Sequence, residues 1–194
     1  DVLDADAAGH EVLKLDEVKR AVRDRWGDAV FAPDGEINRA AVAAIVFAQT
    51  PEAAGELAFL EQLTHPRISE RLRDQIAEIG RRGPSENRQA RVAVLDAPVM
   101  LKAGWDTLCD LIVYVDAPRD VRRSRARGRG WSDAEFSARE AAQESLEAKR
   151  KRADEIIDNS GPLMATQAQV ARIWQKLPTI STTAANPSRV PVSP

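Results

Sequence analysis

The chain has 194 residues, and its 28 Lys and Arg against 30 Asp and Glu give a formal net charge of −2. This length can bury one core, with or without an inserted domain, and a nearly balanced charge creates no overall field that would favour a nucleic acid partner. A single cysteine, Cys109, excludes an internal disulfide framework. The sequence has neither a signal-peptide pattern nor a run of about 18 apolar residues, so we expect a cytoplasmic protein without a membrane partner.

The first half of the chain is predicted to be mainly helical. Val2-Leu3 is the end of a short strand that opens into an acidic loop. Between residues 15 and 83, apolar residues recur at the three-and-four spacing of helices. Asp34-Gly35 marks a turn after the first helix, Pro51 opens the third helix as a first-turn proline, and His65-Pro66 ends that helix and begins a fourth. We therefore expect a helical insertion between two strands.

The second half of the chain alternates apolar runs with helical patterns. Three further short buried strands are predicted, at residues 92–95, 111–115 and 155–157. Strands that alternate with helices indicate a parallel sheet, so the predicted fold class is α/β. Ser132 with Glu135 three residues later is typical of a helix start. A last helix is expected at 166–177, and a disordered tail at 178–194, where proline recurs among small polar residues.

A strongly basic helix is predicted after Pro118. Arg122, Arg125 and Arg129 are spaced to share one helical face. This stripe favours a small polyanion as ligand, although an ordinary solvated helix is the alternative. A second basic segment, residues 149–152, leads into the last strand, and ligands bind beyond the carboxyl ends of parallel strands. The residues alone therefore predict an α/β protein that binds a nucleotide or another polyphosphate.

Several sequence blocks, in order over roughly residues 1–177, resemble the dephospho-coenzyme A kinase family. The most specific lies near the C-terminus and comprises Arg139-Glu140-Ala141-Ala142-Gln143, Lys149, Ala153-Asp154 and Ile157-Asp158-Asn159-Ser160-Gly161. The earlier blocks are Asp4-Ala5-Asp6, Gly9-His10-Glu11-Val12, Asp34-Gly35 with Arg39, Ile45-Val46-Phe47, His65-Pro66-Arg67, Asp96-Ala97-Pro98 and Val115-Asp116-Ala117-Pro118. Their common order is far more specific than any one block.

The resemblance implies a P-loop NTPase-like fold of three α/β/α layers, with a parallel sheet, a helical substrate-binding insertion and a basic lid. It places the nucleotide-binding core at residues 1–13 and 84–177, the lid at about 118–150, and the coenzyme-binding insertion at 14–83. The implied reaction is ATP-dependent phosphorylation, with Mg²⁺, of the ribose 3′-hydroxyl of dephospho-coenzyme A, the last step of coenzyme A biosynthesis. ATP and dephospho-coenzyme A are then the expected partners.

Phosphoryl transfer requires neutralised phosphate charge and an oriented acceptor hydroxyl. For charge neutralisation the resemblance implicates Arg125 and Arg129, which match two lid arginines of the family, and Arg122 shares their face. For the acceptor it implicates Asp6 and, as second choice, Asp4. A carboxylate just past a strand can accept a proton from a sugar hydroxyl or hold Mg²⁺ through water. The alternative for Asp6 is that it only caps a helix.

Four further residues are weaker candidates. The substrate candidates are His65 and Arg67, and the nucleotide candidates are Lys149 and Asn159. His65 lies beside an apolar stripe and is alternatively a packed or capping residue, and Asn159 is alternatively a turn residue. No protein-bound resident metal is predicted. Lys102 stands where the family usually has an acidic residue, so position 102 is given no role.

The phosphate-loop motif Gly-x-x-x-x-Gly-Lys-Ser/Thr does not occur in these 194 residues. In the explanation we favour, the family's first strand, phosphate loop and helix precede Asp1. A chain without them would be inactive and would fold poorly, because its sheet would lack a central strand. The other explanation is a non-catalytic nucleotide-binding or coenzyme-binding module. A kinase of another small nucleotide acceptor is a third hypothesis.

Overall fold

A computed structural model describes residues 1–48, 50–82, 91–141, 143 and 145–177. These residues form two compact units. The predicted disordered tail at 178–194 lies outside the described residues. The predicted division into a core and an insertion at residues 13 and 84 stays a prediction. Among the residues described, none of the helices combines the length and the apolar character needed to cross a membrane.

The described residues of the first unit form a pair of short strands and four α-helices. Along the chain these are β1 Val2–Asp4, α1 Ala5–Val12, α2 Asp16–Trp26, α3 Arg39–Val46, α4 Ala53–Arg81 and β2 Val94–Asp96. β1 and β2 are parallel, and their register pairs Val2 with Val94 and Asp4 with Asp96. The carboxyl ends of both strands therefore lie at the same edge, and each ends in an aspartate.

The core of the first unit lies between helices whose apolar residues fall on one face. α1 buries Ala5, Ala8 and Val12, and α4 buries Leu72, which is fully shielded from solvent. Burial of a side chain as large as Val12 or Leu72 contributes about 1.5–3 kcal/mol relative to an exposed one. Because α1 follows β1 directly, this packing also fixes the end of β1.

Pro66 lies inside α4, so the prediction that His65-Pro66 separates two helices is wrong. α4 is one helix of 29 residues. Proline has no N–H, so the carbonyl of Gln62 loses its usual helical partner, a defect that costs about 3 kcal/mol. Thr64 Oγ1 and Arg67 Nη1 donate to carbonyls one turn earlier, at 2.8 and 2.6 Å. The helix continues through the proline because the residues on both sides of it share one buried face, which includes Thr64 and Leu72.

The second unit has a second pair of parallel strands. Its elements are β3 Val113–Asp116, α5 Arg119–Gly128, α6 Asp133–Ala141, α7 Leu146–Arg152, β4 Glu155–Asp158 and α8 Leu163–Lys176. The register pairs Val113 with Glu155 and Asp116 with Asp158. Every predicted strand overlaps an observed one, and the predicted parallel pairing is confirmed. Asp116 and Asp158 mark the shared carboxyl edge of this pair.

Most of the predicted turn and cap signals are confirmed. Gly35 has a φ of +79° and donates its N–H to close the turn at Asp34-Gly35, a conformation that glycine adopts without strain. Ser132 N donates to Glu135 Oε2 at 2.9 Å, and Glu135 N donates to Ser132 Oγ at 3.2 Å. This reciprocal pair starts α6 as a capping box. Pro51, however, precedes the start of α4 and does not lie in its first turn.

Candidate functional site

Asp4 and Asp6 have different structural roles at the end of β1. Asp4 caps α1, because its Oδ1 accepts a hydrogen bond from Ala7 N at 2.9 Å. Asp6 lies within the first turn of α1 and is exposed. Within the described part of the chain, the Asp6 carboxylate has neither a hydrogen bond nor an ion pair. The alternative that Asp6 caps the helix is therefore wrong, and its carboxylate faces solvent.

Asp96 is an acidic residue to which the sequence assigned no role. It ends β2, and the register makes it the neighbour of Asp4 across the strand pair. The available signal was an aspartate at the end of an apolar run, the same signal that marked Asp4. In the described ranges, no group of three or more Asp, Glu, His or Cys side chains is arranged to hold a metal ion. A metal at this edge would therefore need oxygen ligands from a bound substrate as well.

The predicted substrate residues His65 and Arg67 both lie on α4. Arg67 Nε donates to Glu17 Oε1 of α2 at 2.6 Å, and Arg67 Nη1 donates to the carbonyl of Leu63. Arg67 thus ties α4 to α2. His65 is half-buried and lies directly before Pro66 in α4. Roles for His65 and Arg67 in substrate binding stay predictions.

Polar groups meet at the carboxyl ends of β3 and β4. Arg150 Nη1 lies 3.0 Å from Asp116 Oδ2, and Asn159 N donates to the carbonyl of Asp116 at 2.7 Å. Thr166 Oγ1 in turn donates to Asn159 Oδ1 at 3.0 Å. Asn159 is half-buried and held through both its backbone and its side chain, so its orientation is fixed by more than a turn. This edge is where ligands bind in open parallel sheets.

Lys149 lies on α7, a basic helix anchored at both ends. Ser145 caps the helix start by accepting from Ala148 N at 3.1 Å, and Lys149 Nζ donates to Gln143 Oε1 at 2.7 Å. At the other end, Arg152 Nε donates to Asp106 Oδ2 at 2.9 Å. Asp106 is only 4% exposed, and no sequence pattern pointed to this pair. This partly buried pair helps to fix the end of α7, just before β4.

The three arginines predicted to share a face of α5 have different surroundings. Arg122 Nη1 lies 2.7 Å from Glu140 Oε1, and Arg122 Nε donates to the carbonyl of Ala117 at 3.1 Å. Arg125 is exposed and, in the part of the chain described, has no hydrogen bond or ion pair. Arg129 follows the last turn of α5, and its guanidinium lies over the ring of Trp131. Arg122 is therefore neutralised within the fold, whereas Arg125 and Arg129 keep their charge available.

Acidic residues of α6 compensate part of the basic charge of α5. Arg119 also contacts Glu140, at 2.7 Å, and Arg127 Nε donates to Asp133 Oδ1 at 2.8 Å. The hydrogen bond from Arg119, with a second from Arg122, holds the pKa of Glu140 below its usual value. The hydrogen bond from Arg127 lowers the pKa of Asp133 in the same way. These ion pairs join α5 and α6 into a helical hairpin.

The whole site-bearing part of the chain matches one protein family. The sequence model of dephospho-CoA kinase (CoaE) matches residues 1–165. The chain belongs to the dephospho-CoA kinase family. A dephospho-CoA kinase from Symbiobacterium thermophilum is 40% identical over 178 residues, which cover 90% of this chain and 70% of that protein. The dephospho-CoA kinase from Thermobifida fusca is 33% identical over 178 residues, 91% of this chain and 83% of the relative.

Solved structures show the same fold. The crystal structure of TT1252 from Thermus thermophilus superposes with a TM-score of 0.68 at 27% identity, covering 91% of this chain and 84% of that one. A dephospho-CoA kinase structure from Campylobacter jejuni superposes with a TM-score of 0.63 at 19% identity, covering 92% of this chain and 85% of the other. The predicted α/β fold of the P-loop NTPase type is thereby confirmed.

Membership in the dephospho-CoA kinase family also confirms the predicted activity. The protein is a kinase, and thus a transferase, that phosphorylates dephospho-coenzyme A in coenzyme A biosynthesis with ATP as the phosphoryl donor. The individual residue roles, the use of Mg²⁺ and the cytoplasmic location stay predictions.

Proposed function

We propose that Asp6 is the general base of this dephospho-CoA kinase and that Arg125 and Arg129 bind the phosphates in transfer. The observation that carries the proposal is that Asp4 forms a hydrogen bond within the fold whereas Asp6 does not. Asp4 is committed to the cap of α1, so it can hold the helix in place. Asp6, in the first turn of α1 and just past the carboxyl end of β1, presents a carboxylate with no competing partner among the residues described.

In the proposed reaction, the ribose 3′-oxygen of dephospho-coenzyme A attacks the γ-phosphorus of ATP. The bond between that phosphorus and the oxygen bridging to the β-phosphate breaks, and ADP leaves. The hydroxyl proton passes to the Asp6 carboxylate, which orients the hydroxyl beforehand. A carboxylate in the first turn of α1 is also favourably placed relative to the helix dipole.

Arg125 and Arg129 are proposed to neutralise charge that develops on the transferred group and on the leaving ADP. Guanidinium groups bind phosphate oxygens in a bidentate manner. The support is that neither arginine has a carboxylate partner in the described residues, so neither would have to break an ion pair to bind a phosphate. Arg122, which is paired with Glu140, is proposed to shape the lid more than to bind the nucleotide.

Lys149 and Asn159 are proposed to contact the nucleotide. Asn159 lies at the carboxyl edge of β3 and β4, and Lys149 lies on α7, the helix that leads into β4. His65 and Arg67 are proposed to contact the coenzyme from α4. We further propose a cytoplasmic location, in keeping with the single cysteine.

Mg²⁺ is the proposed metal, and the acidic edge of β1 and β2 fits it. Asp96 and the Oδ2 atom of Asp4, the oxygen that does not cap α1, would supply carboxylate oxygens, the ligand type that Mg²⁺ prefers, at neighbouring strand ends. Mg²⁺ keeps several waters and is commonly held by one or two carboxylates together with substrate phosphates. When bound, Mg²⁺ would neutralise phosphate charge. Asp4 and Asp96 would hold the ion near the first turn of α1, which carries Asp6.

The role of Arg125 is tested with Arg125→Ala in the full-length enzyme, measured as ADP formation that depends on dephospho-coenzyme A. Turnover should fall by about 10²-fold or more, as when other transition-state charge donors are removed. Arg127→Ala is the matched control, because Arg127 lies on the same helix but is paired with Asp133. That exposed pair should change turnover by less than about fivefold. Unchanged turnover in Arg125→Ala, or equal losses in both variants, would remove Arg125 from the site.

A further inference from the structure

Trp131 carries two arginines on its ring. The guanidinium carbon of Arg139 lies 4.2 Å from the ring centroid, and that of Arg129 lies 5.2 Å away. Both distances are within the range of a cation–π interaction, for which tryptophan is the best aromatic partner. Trp131 is half-buried, whereas both arginines are exposed. We refer to these three side chains as the Trp131 cluster.

The backbone fixes Trp131 from both sides. Gly130 has a φ of +88°, and Trp131 N donates to the carbonyl of Ala126 at 3.1 Å, which closes the end of α5. The next residue, Ser132, starts α6 through its reciprocal hydrogen bonds with Glu135. The indole therefore stands at a defined position between the end of one helix and the start of the next.

The Trp131 cluster keeps its positive charge. Arg119, Arg122 and Arg127 of the same hairpin are neutralised by carboxylates of α6. In the described part of the chain, neither Arg129 nor Arg139 has a carboxylate within salt-bridge distance. Glu135 interacts electrostatically with Arg139. Its Oε2 atom accepts hydrogen bonds from Ser132 N and Ser132 Oγ. Two guanidinium groups are thus held on one ring, and neither forms a salt bridge with a carboxylate of the described residues.

Such an arrangement suits a ligand with several phosphates. Each guanidinium can donate two hydrogen bonds to phosphate oxygens, and the aromatic ring leaves these donors unused. Holding long side chains in place before binding reduces the entropy that the ligand would otherwise have to compensate. A single phosphate would leave one guanidinium without a partner, so a chain of phosphates is the better match.

We propose that the Trp131 cluster is a preorganised polyphosphate site that binds the phosphates of ATP, with Arg139 as a direct contact and Trp131 as a positioning residue. This inference rests on the proposed role of Arg129 in nucleotide binding. It adds one ligand-binding arginine from α6 to those of α5, and a tryptophan that binds no phosphate itself.

The test measures binding of ATP and of inorganic tripolyphosphate to the full-length enzyme by titration calorimetry. Arg139→Gln should weaken both by about tenfold or more, the effect of losing a charged hydrogen-bond donor. Trp131→Leu should weaken both by about three- to tenfold, and Trp131→Phe should recover part of the loss because a ring remains. The KM for dephospho-coenzyme A should stay unchanged in all three, as should the melting temperature of Arg139→Gln, whose side chain is exposed. Arg127→Gln is the matched control and should bind ATP normally.

The outcomes separate this inference from the proposed function. If Arg129→Gln weakens ATP binding but Arg139→Gln and Trp131→Leu do not, the Trp131 cluster is not a phosphate site and the role of Arg129 stands. If Arg129→Gln leaves ATP binding intact, both the proposed role of Arg129 and the inference fail. Loss of dephospho-coenzyme A affinity with unchanged ATP affinity would likewise overturn the assignment to the nucleotide.

Discussion

Replacing Asp6 with asparagine separates a catalytic role from a structural one. The side chain keeps its size and exposure, and no hydrogen bond or ion pair among the described residues is lost with its charge. The substitution removes the attraction between the carboxylate and the helix dipole at the first turn of α1, which should lower the free energy of unfolding by about 0.3–1 kcal/mol at an exposed site. What catalysis loses is proton acceptance, worth about 10²- to 10⁴-fold in rate, or about 3–5 kcal/mol in barrier height.

Asp4 supplies the calibration for that experiment. Asp4→Ala removes the bond to Ala7 N and should cost about 1 kcal/mol of folding stability, whereas Asp4→Asn should cost almost none because asparagine caps equally well. The assays are urea denaturation for stability, and initial rates of ADP formation at saturating ATP and dephospho-coenzyme A for turnover. Asp6→Asn should be nearly as stable as the unchanged enzyme and slower by at least about 10²-fold.

Two results would refute this reasoning. If Asp6→Asn turned over at the unchanged rate, Asp6 would not be the base. If its free energy of unfolding fell by about 2 kcal/mol or more, beyond what the helix-dipole attraction of an exposed carboxylate can account for, Asp6 would have a structural role in α1, and the separation between a capping Asp4 and a catalytic Asp6 would be lost.

Three further predictions concern the packing that supports the site. Pro66→Ala restores an N–H that can donate to the carbonyl of Gln62, so it should raise the free energy of unfolding by up to about 3 kcal/mol. The midpoint of urea denaturation should rise accordingly, and a lower midpoint would contradict the account of α4. Leu72→Ala should cost about 2–5 kcal/mol because this side chain is fully buried, while Leu163→Ala, at a side chain 69% exposed, should cost less than about 0.5 kcal/mol. Because the folded pKa of Glu140 lies below its usual 4.5, its ion pairs should stabilise the α5–α6 hairpin fully above pH 4.5 and progressively less as the pH falls through the lowered pKa. Hydrogen exchange of α5 and α6 amides would show this loss, and Glu140→Gln should remove the dependence.

The sequence predicted the parts of the fold that depend on near neighbours. Val113–Asp116 is a short apolar run, and the capping box at Ser132 and Glu135 involves residues three apart. The turn at Asp34-Gly35 follows from the conformational freedom of glycine. In each case the physical cause lies within one turn or one strand, so the pattern is visible along the chain.

The sequence could not show which distant side chains meet. Glu140 neutralises Arg119 across 21 positions, so a helix that looks uniformly basic carries both compensated and uncompensated arginines. The prediction at Pro66 applied the local rule that proline ends a helix. In the structure the helix continues, because apolar residues on both sides of Pro66 are buried on one face. At the candidate site, a helix start earlier than expected gave the cap to Asp4 and left Asp6 unpaired.

The partly buried pair of Asp106 and Arg152 limits how this sequence can evolve. Substitution of Arg152 removes two hydrogen bonds from the Asp106 carboxylate, which is only 4% exposed. Breaking a buried charge pair typically costs about 3–5 kcal/mol, whereas replacing both partners with apolar residues of similar volume is often neutral. The two positions, 46 residues apart, should therefore change together, and single substitutions at either one should be purged. Arg150 belongs to the same basic run, but its side chain is 59% exposed in a surface pair with Asp116, so it should drift independently. Two arginines two positions apart in one helix are thus under different evolutionary constraints.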